Sequence, residues 1–111
     1  MFPKWEHTII ILMRIISVRT LKEFWEKSGN ADSEQPLRAW FSEARAAEWK
    51  GPNEIKKKYL PASIIGNNRV VFNIKGNKYR LIVAINYEFQ IVYIRFIGTH
   101  KEYDSVDARS I

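Results

Sequence analysis

The pattern of apolar and polar residues changes its period along the chain. Residues 9–18 are rich in β-branched side chains and apolar on both faces, which is typical of a central β-strand. From residue 20 to residue 29 apolar residues recur at helical spacing. Thr20 and Glu23 have the form of a capping box, in which a hydroxyl caps the helix start and a glutamate reaches back. This opening predicts a strand followed by a short amphipathic helix.

Two further helices are predicted before the middle of the chain. Ser33 followed by Pro36 is typical of a helix start, and the apolar residues beyond them predict a helix that ends near Gly51. Residues 52–59 predict a third, short helix, which Pro61 closes. Three tryptophans stand at helical spacing among apolar neighbours, and we interpret them as packing residues: Trp25, Trp40 and Trp49.

From residue 69 onward the period is two. Residues 69–74, 78–86 and 91–97 predict three strands, and the short connections at residues 75–77 and 87–90 predict antiparallel hairpins. With the first strand and the helices, this meander predicts an α+β domain in the order β-α-α-β-β-β, with about four strands and two to three helices on one face of the sheet.

Counting by twos divides the side chains of the meander between two faces. The apolar face, suited to packing under the helices, consists of Val70, Phe72, Ile74, Tyr79, Leu81, Val83, Ile85, Val92, Ile94 and Phe96. The opposite face collects Arg69, Asn73, Arg80, Asn86, Tyr93 and Arg95. Three arginines on a face away from the core predict a concentrated cationic surface in contact with water, although alternation alone gives any half-exposed sheet a polar face.

Length and charge refine this picture. The chain has 111 residues, enough for one small domain, and carries 18 Lys and Arg against 12 Asp and Glu. Residues 55–101 hold nine basic side chains against Glu88 alone, so the positive charge lies in the C-terminal half. Such a balance favours a polyanionic partner such as nucleic acid, or an acidic protein. We assign the domain to residues 13–111 and interpret residues 1–12 as either an N-terminal extension upstream of Met13 or the result of a misplaced start.

Composition also excludes several classes of site. The chain has no cysteine and two histidines, which excludes disulfides, thiolate catalysis, Cys-ligated zinc and a histidine-rich metal cage. We therefore expect chemistry without a metal or another cofactor. No apolar run approaches the roughly 20 residues of a membrane span, and we expect a cytoplasmic protein without a membrane partner.

Several stretches of the second half resemble a known family. They are RVVFN at residues 69–73, GN at 76–77, RLIVA at 80–84, YIR at 93–95 and THKEYD at 99–104. With the strand-and-helix opening of residues 13–27, the chain resembles the HigB family of toxins over nearly all of its length. The resemblance implies the RelE-like fold, with its helices on one face of a small twisted sheet. It also implies a ribosome-associated endoribonuclease that acts on mRNA and is neutralised by a HigA-type antitoxin.

Metal-free RNA cleavage uses the 2′-OH as the nucleophile on the adjacent phosphorus, so the protein must move two protons and stabilise a more highly charged transition state. Arginine suits the last task because its guanidinium is always charged and contacts phosphate through two donors. We expect Arg80 and Arg95, on adjacent strands and the same face, to be the electrostatic stabilisers, with Arg69 as a weaker candidate that contacts RNA.

The proton transfers are harder to assign. A pair of histidines is not available for them, because His7 lies outside the family match. We expect His100, Lys101 and Tyr103 to share them, with Lys78 as a further candidate that we also expect to contact RNA. A structural role stays open for each of them, since His100 at a strand end also suits a hydrogen bond to the preceding loop and Tyr103 suits the edge of the core.

The run Lys56, Lys57 and Lys58 has two interpretations. It is typical of a solvated helix face, and three adjacent cations would also dock on ribosomal RNA phosphates without choosing a sequence.

The same fold also supports a different class of function. The gyrase-poisoning ParE branch of these toxins acts on a protein, and a non-catalytic relative would be an RNA-binding module. A catalytic pair at His100 and Tyr103 favours the nuclease, which the ParE branch does not need. The family further implies that the antitoxin masks the cationic face and that operator DNA is bound by the antitoxin, so we expect no direct DNA binding by this chain.

Overall fold

The computed structural model describes residues 12–111 of the chain. Its elements are β1 (Arg14–Ile16), α1 (Val18–Glu26), α2 (Glu34–Ala46), α3 (Pro52–Lys58), β2 (Ser63–Ile65), β3 (Arg69–Ile74), β4 (Tyr79–Asn86), β5 (Ile91–Thr99) and α4 (His100–Tyr103), with a 3₁₀ turn at Ala31–Ser33 before α2. Within this part of the chain, none of the helices has the length and apolar character that crossing a membrane requires.

The five strands form one sheet in the order β1-β5-β4-β3-β2. β1 runs parallel to β5, and every other neighbouring pair is antiparallel. The predicted α+β class and the three-stranded meander are confirmed, and the connections between its strands lie where the sequence places them. The sheet has one strand more than predicted. The additional strand is β2, which is only three residues long and therefore too short to show an alternating pattern in the sequence.

The prediction of a central first strand is wrong within the described residues. β1 pairs with β5 alone and lies at an edge of the sheet, and only Arg14–Ile16 of the predicted residues 9–18 form it. Residues 9–11 and most of the predicted extension of residues 1–12 lie outside the part of the chain that the structure describes. The apolar character of this segment reflects its covered position, since Met13 is buried in the core and Ile15 packs against it.

The helix boundaries differ from the sequence prediction at two points. α1 begins at Val18 after Ser17, so Thr20 lies inside the helix and its predicted capping box with Glu23 does not form. α2 ends at Ala46, five residues before Gly51, while α3 begins at Pro52 as predicted. Local apolar spacing continues past Ala46 because Trp49 is also buried in the core, although outside any helix.

The helices bury their apolar stripes on the inner face of the sheet. Trp40 of α2 packs edge-on against Phe72 of β3, with ring centroids 5.4 Å apart, and Phe24 of α1 packs against Tyr79 of β4 at 5.3 Å. Trp40 and Trp49 are packing residues as predicted, with 2% and 3% of their surface exposed. Trp25 is half-buried at the edge of this core.

A β-bulge in β5 overturns the predicted position of Phe96. Val83 pairs with Ile94 but Ile82 pairs with Phe96, which leaves Arg95 as an extra residue in β5. An extra residue reverses the alternation beyond it. Ile94 therefore packs in the inner core as predicted, whereas Phe96 lies on the outer face and Ile97 takes the inner position.

The outer face is also not the open, wet surface that alternation predicts. Residues 104–111 fold back over it, and a second, smaller apolar cluster forms there. Its members are Val71, Ile82 and Ala108, with Ile65, Phe96, Tyr103, Val106 and Ile111 packed against them. Polar contacts hold the segment in place, since Asn67 Nδ2 donates to the main-chain oxygen of Arg109 over 3.1 Å and the Arg69 guanidinium donates to that of Ile111. The cationic residues therefore lie at the two ends of this face and not across its middle.

Candidate functional site

Strand register divides the predicted site residues between the two ends of the outer face. At the end formed by the β3–β4 hairpin, Arg80 pairs with Gly98 and lies next to α4, which carries His100, Lys101 and Tyr103. At the other end, Arg69 pairs with Ala84, and Arg95 occupies the bulge. Gly98 lies three positions after Arg95 along β5, which corresponds to about 10 Å. Arg80 and Arg95 are on adjacent strands, as predicted, but they do not meet.

Arg80 is a buried guanidinium held in place by the hairpin. It is 9% exposed, and Ser33 is the other buried polar residue within the described part of the chain. Its Nη1 donates to the main-chain oxygen of Asn77 over 2.9 Å, and its Nη2 donates to the side-chain oxygen of the same residue. Asn73 also donates to that side-chain oxygen at 3.5 Å. The hairpin thus fixes the orientation of the guanidinium plane before any ligand binds.

The charge of Arg80 is not neutralised within the described residues. No carboxylate of residues 12–111 forms an ion pair with it, and its Nε donates to no acceptor in that range. Buried charges are normally paired, because moving an ion from water into a protein interior costs on the order of several kcal/mol. A preoriented cation with a remaining donor is an environment suited to a phosphate oxygen.

A capping box begins the short helix that carries His100 and Tyr103. The Thr99 hydroxyl accepts from the backbone N–H of Glu102, and the Glu102 carboxylate accepts from the backbone N–H of Thr99, so β5 turns directly into α4. The hydrogen bond from the Thr99 backbone N–H to the carboxylate is the main cause that lowers the pKa of Glu102 below its usual value. The Tyr103 ring lies 5.9 Å from Arg80 Cζ, at cation–π distance.

His100 is oriented by two contacts. Its backbone N–H donates to the main-chain oxygen of Lys78 over 3.1 Å, and its Nδ1 lies 3.4 Å from a carboxylate oxygen of Asp104. A carboxylate beside Nδ1 favours the tautomer and orientation that leave Nε2 available to another group. Half of the His100 side chain is exposed, so the ring is accessible.

Positions within α4 distinguish Lys101 from its neighbours. His100, Tyr103 and Asp104 are spaced by three and four residues and share one side of the helical turn, whereas Lys101 is rotated away from them and exposed. We name the group of Asn77, Arg80, His100, Tyr103 and Asp104 the hairpin-end cluster.

Lys78, a candidate for RNA contact or proton transfer, is engaged elsewhere. Its Nζ donates to the carboxylate of Asp32, which also accepts from the buried Tyr79 hydroxyl and lies 3.8 Å from Lys75 Nζ. The hydrogen bond with Lys78 is the main cause that lowers the pKa of Asp32, and the same bond raises the pKa of Lys78. Lys78 therefore contributes its main-chain oxygen to His100 while its side chain holds the 3₁₀ turn before α2.

The three lysines of α3 lie apart from the hairpin-end cluster, on a helix whose Ile55 is buried in the inner core. Lys56 Nζ donates to the main-chain oxygens of Leu60 and Ala62, both at 2.5 Å, and so closes the end of α3. Lys58 lies 3.6 Å from a carboxylate oxygen of Glu43, while Lys57 is exposed. Two of the three lysines thus have intramolecular partners.

The opposite end of the outer face contains a cavity of about 530 Å³. Asn68, Arg69, Asn86, Tyr93 and Arg95 are among the residues that line it. Arg69 donates through Nε and Nη2 to Ile111 and through Nη1 to Asn67, so its guanidinium is committed to main-chain oxygens. Arg95 remains exposed, and its Cζ lies 5.7 Å from the Tyr93 ring centroid.

Three residues of this arrangement were missed by sequence reasoning: Asn77, Asp104 and Asp32. Asn77 follows Gly76 in the hairpin and was assigned only a turn role, although an Asn at that position also offers a side-chain oxygen. Asp104 stands four residues after His100, a helical spacing that would have indicated the pair. Asp32 contacts Lys78 and Tyr79 across 46 and 47 residues of chain, and no local pattern indicates such a contact. Among the described residues, no group of three or more His, Cys, Asp or Glu side chains is placed to hold a metal ion.

Comparison with known proteins places this geometry in a family context. The model of the HigB toxin family, described as the RelE-like toxic component of a toxin-antitoxin system, matches residues 33–106. The chain is 32% identical over 100 residues to the mRNA interferase toxin HigB of Escherichia coli K12, an alignment that covers 83% of this chain and 88% of the relative. The proteins named mRNA interferase HigB from Escherichia coli O157:H7 and Shigella flexneri match with the same identity and coverage.

Proposed function

The chain belongs to the HigB family of RelE-like toxins, and from that premise we propose that it is an mRNA endonuclease acting on the ribosome as the toxin of a toxin–antitoxin pair. Its substrate would be mRNA in the ribosomal A site, cut by attack of a 2′-OH on the adjacent phosphorus. The relatives named mRNA interferases support the activity, and the hairpin-end cluster supports the mechanism.

Arg80 is the observation that carries the proposal. A buried guanidinium, fixed by Asn77 and without a carboxylate partner in the described chain, is preorganised for an anion that comes from outside. The scissile phosphate is such an anion, and its charge increases in the transition state. A cation that is already oriented and desolvated stabilises that increase without reorganisation.

His100 and Tyr103 would carry the two proton transfers. In our proposal one of them accepts the proton of the 2′-OH and the other protonates the leaving 5′-oxygen, while Asp104 holds the imidazole in the productive orientation. Atoms balance without another reagent, because the 2′-oxygen forms a bond to phosphorus, the 5′-oxygen leaves with a proton, and a 2′,3′-cyclic phosphate is the first product. Lys101 would contact RNA from the exposed side of α4.

The partner in this proposal is a HigA-type antitoxin with an acidic or extended segment. Such a segment would mask the cationic ends of the outer face and associate rapidly through electrostatic attraction. Lys57 of α3 would add a contact to ribosomal RNA phosphate. Because the proposed substrate is mRNA on translating ribosomes, we place the activity in the cytoplasm. We also propose residues 13–111 as the domain, since Met13 is 2% exposed in the inner core.

Induction in growing cells tests the proposed function. The chain is expressed with and without the adjacent gene, and mRNA 5′ ends are mapped by primer extension. Growth arrest with new ends inside translated codons, lost when translation initiation is blocked and rescued by the neighbouring gene, would support the proposal. Arrest with intact mRNA would overturn it in favour of a toxin with a protein target. Arg80→Ala should abolish the new ends, and the matched control Arg19→Ala should keep them, because Arg19 is exposed on α1.

A further inference from the structure

The β-bulge in β5 gives Arg95 a position that regular pairing would not give it. Arg95 is the extra residue between Ile94 and Phe96, and it is the exposed residue of a strand whose other members are buried or half-buried. Bulges locally bend a strand and re-aim a side chain, and they are frequent beside active sites. The Arg95 side chain adds no packing to the inner core, because it is exposed and lines the cavity on the outer face.

Arg95 and Tyr93 together place a cation beside an aromatic ring. Arg95 Cζ lies 5.7 Å from the Tyr93 ring centroid, and both side chains line the cavity of about 530 Å³ at this end of the outer face. No acidic residue of the described chain forms an ion pair with Arg95. Aromatic rings with adjacent guanidinium groups are the platforms on which proteins stack single-stranded bases.

The remaining walls of the cavity carry polar groups that suit the edges of a base. Asn68 offers an amide, and Glu88 offers a carboxylate that accepts hydrogen bonds from exocyclic amino groups. Asn86 offers its amide N–H donors, since its side-chain oxygen accepts from the Phe89 backbone N–H.

Arg69 contributes part of the cavity wall and a positive charge. Its guanidinium is not available for a two-donor contact with RNA, because it donates to the main-chain oxygens of Ile111 and Asn67. The cavity thus presents one available cation, the rings of Tyr87 and Tyr93, and several neutral or acidic hydrogen-bonding groups.

We infer that Tyr93 and Arg95 form a nucleotide subsite for single-stranded RNA, separate from the residues that perform the chemistry. The inference rests on the proposed function and extends it. Tyr93 stacks on a base that flanks the cut, and Arg95 binds the phosphate next to that base. The spacing of about 10 Å between Arg95 and the Gly98–Arg80 pair leaves room for the strand to pass from the subsite to the hairpin-end cluster.

Binding to an RNA that cannot be cut tests the subsite directly. The probe is a short, fluorescently labelled RNA with every 2′-oxygen methylated, and the readout is anisotropy over a series of salt concentrations. Arg95→Ala and Tyr93→Ala are each expected to weaken binding by roughly ten-fold, the loss typical of one stacking contact. Arg95→Ala should also lower the slope of log K against log salt by about one, because one phosphate contact is lost.

Matched variants separate the subsite from general charge. Arg19→Ala removes the same charge from an exposed position on α1 and should leave affinity within experimental error of the wild type. Tyr93→Phe keeps the ring and should rescue most of the binding that Tyr93→Ala loses. Arg95→Lys keeps the salt slope and loses part of the affinity, since a lysine lacks the planar fork. Equal effects of Arg95→Ala and Arg19→Ala, or no binding of the probe by the wild type, would overturn the inference.

Cleavage on programmed ribosomes distinguishes failure of the subsite from failure of the function. Arg95→Ala is expected to raise KM by roughly ten-fold and leave kcat within two-fold, a split that a merely structural role would not give. If Arg80→Ala abolishes cleavage while Arg95→Ala changes neither KM nor probe binding, the proposed function stands and the subsite is refuted. If the wild type binds the probe through Tyr93 and Arg95 but cuts no mRNA, the subsite stands and the proposed function is refuted.

Discussion

The two ends of the outer sheet face carry similar residues in opposite states. At the hairpin end, Arg80 is buried and fixed by Asn77, with Tyr103 at cation–π distance and His100 on the same short helix as Tyr103. At the other end, Arg95 is exposed beside Tyr93 in an open cavity. An arginine beside a tyrosine can therefore be a preorganised electrostatic group or an adaptable contact, and burial and partners decide which.

The difference teaches that a cationic face is not one site. Rigid, desolvated groups suit the reacting phosphate, because displacing a catalytic group by about 1 Å strongly lowers the reaction rate. Exposed groups suit the binding of a flexible RNA strand. Residues 104–111 create the division, because their apolar side chains cover the middle of the face and leave its ends accessible.

Arg80→Ala should give the largest effect on cleavage. Loss of one preorganised electrostatic donor typically lowers kcat by roughly a hundred- to a thousand-fold. The rate is measured at saturating enzyme on programmed ribosomes. Arg80→Lys keeps the charge but not the fork that Asn77 orients, so it should restore only part of the rate. Wild-type kcat in Arg80→Ala, with the fold intact by circular dichroism, would contradict the division of roles.

His100→Gln and Tyr103→Phe should each lower kcat by roughly a hundred-fold or more, because proton transfer in the transition state is lost. Asp104→Asn should have a smaller effect, about ten-fold, since Asp104 acts through His100. The cleavage rate at saturating enzyme is the measurement, with the fold of each variant checked by circular dichroism. Tyr59→Phe, on the inner side of the sheet, is the control and should cut normally. Equal kcat losses in Tyr59→Phe and Tyr103→Phe would show that the Tyr103 hydroxyl has no special role.

Gly98→Ala tests whether the outer apolar cluster supports the hairpin end. A Cβ at Gly98 would overlap the Phe96 ring, which packs in the same cluster as Tyr103. We expect a loss of about 1–3 kcal/mol in the free energy of unfolding, the usual range for overpacking. Chemical denaturation measures it, with Gly51→Ala as the control because nothing lies within 4 Å of an added Cβ there. Unchanged stability in Gly98→Ala would mean that Phe96 moves freely.

Asp32→Asn should have the smallest effect, visible in the pH dependence of stability. Hydrogen bonds from Lys78 and Tyr79 lower the pKa of Asp32 below its ordinary value of 3.8. A lowered pKa contributes stability above the ordinary value and loses it as the pH falls through the lowered one. The wild type should therefore exceed Asp32→Asn in melting temperature near neutral pH, and the gap should close in acid. A gap that stays constant down to strongly acidic pH would contradict the assignment.

The sequence predicts the fold well because the patterns that define its helices, strands and turns are local. Alternation in residues 69–97 and the tight connections at residues 75–77 and 87–90 define the meander, and the apolar stripes define the helices that cover it. The string T-x-x-E illustrates where local information ends. It occurs at Thr20–Glu23 and at Thr99–Glu102, yet only the second forms a capping box, because α1 begins two residues before Thr20.

The candidate site is predicted less completely because it depends on tertiary structure. His100 and Tyr103 come from the recognised THKEYD string, and Arg80 from its strand position. The bulge at Arg95 and the covering of the outer face by residues 104–111 are set by packing that alternation does not encode. For the same reason Asn77 and Asp104, which hold Arg80 and His100, were recognised only from their contacts.

Single-turnover cleavage of mRNA on programmed ribosomes, with Arg80→Ala and Arg95→Ala titrated to saturation, tests the central claim most directly. The account predicts that Arg95→Ala reaches the wild-type rate at high enzyme concentration, whereas Arg80→Ala stays slow at every concentration. A slow plateau for Arg95→Ala together with a normal plateau for Arg80→Ala would contradict the assignment of chemistry to the hairpin end and binding to the other.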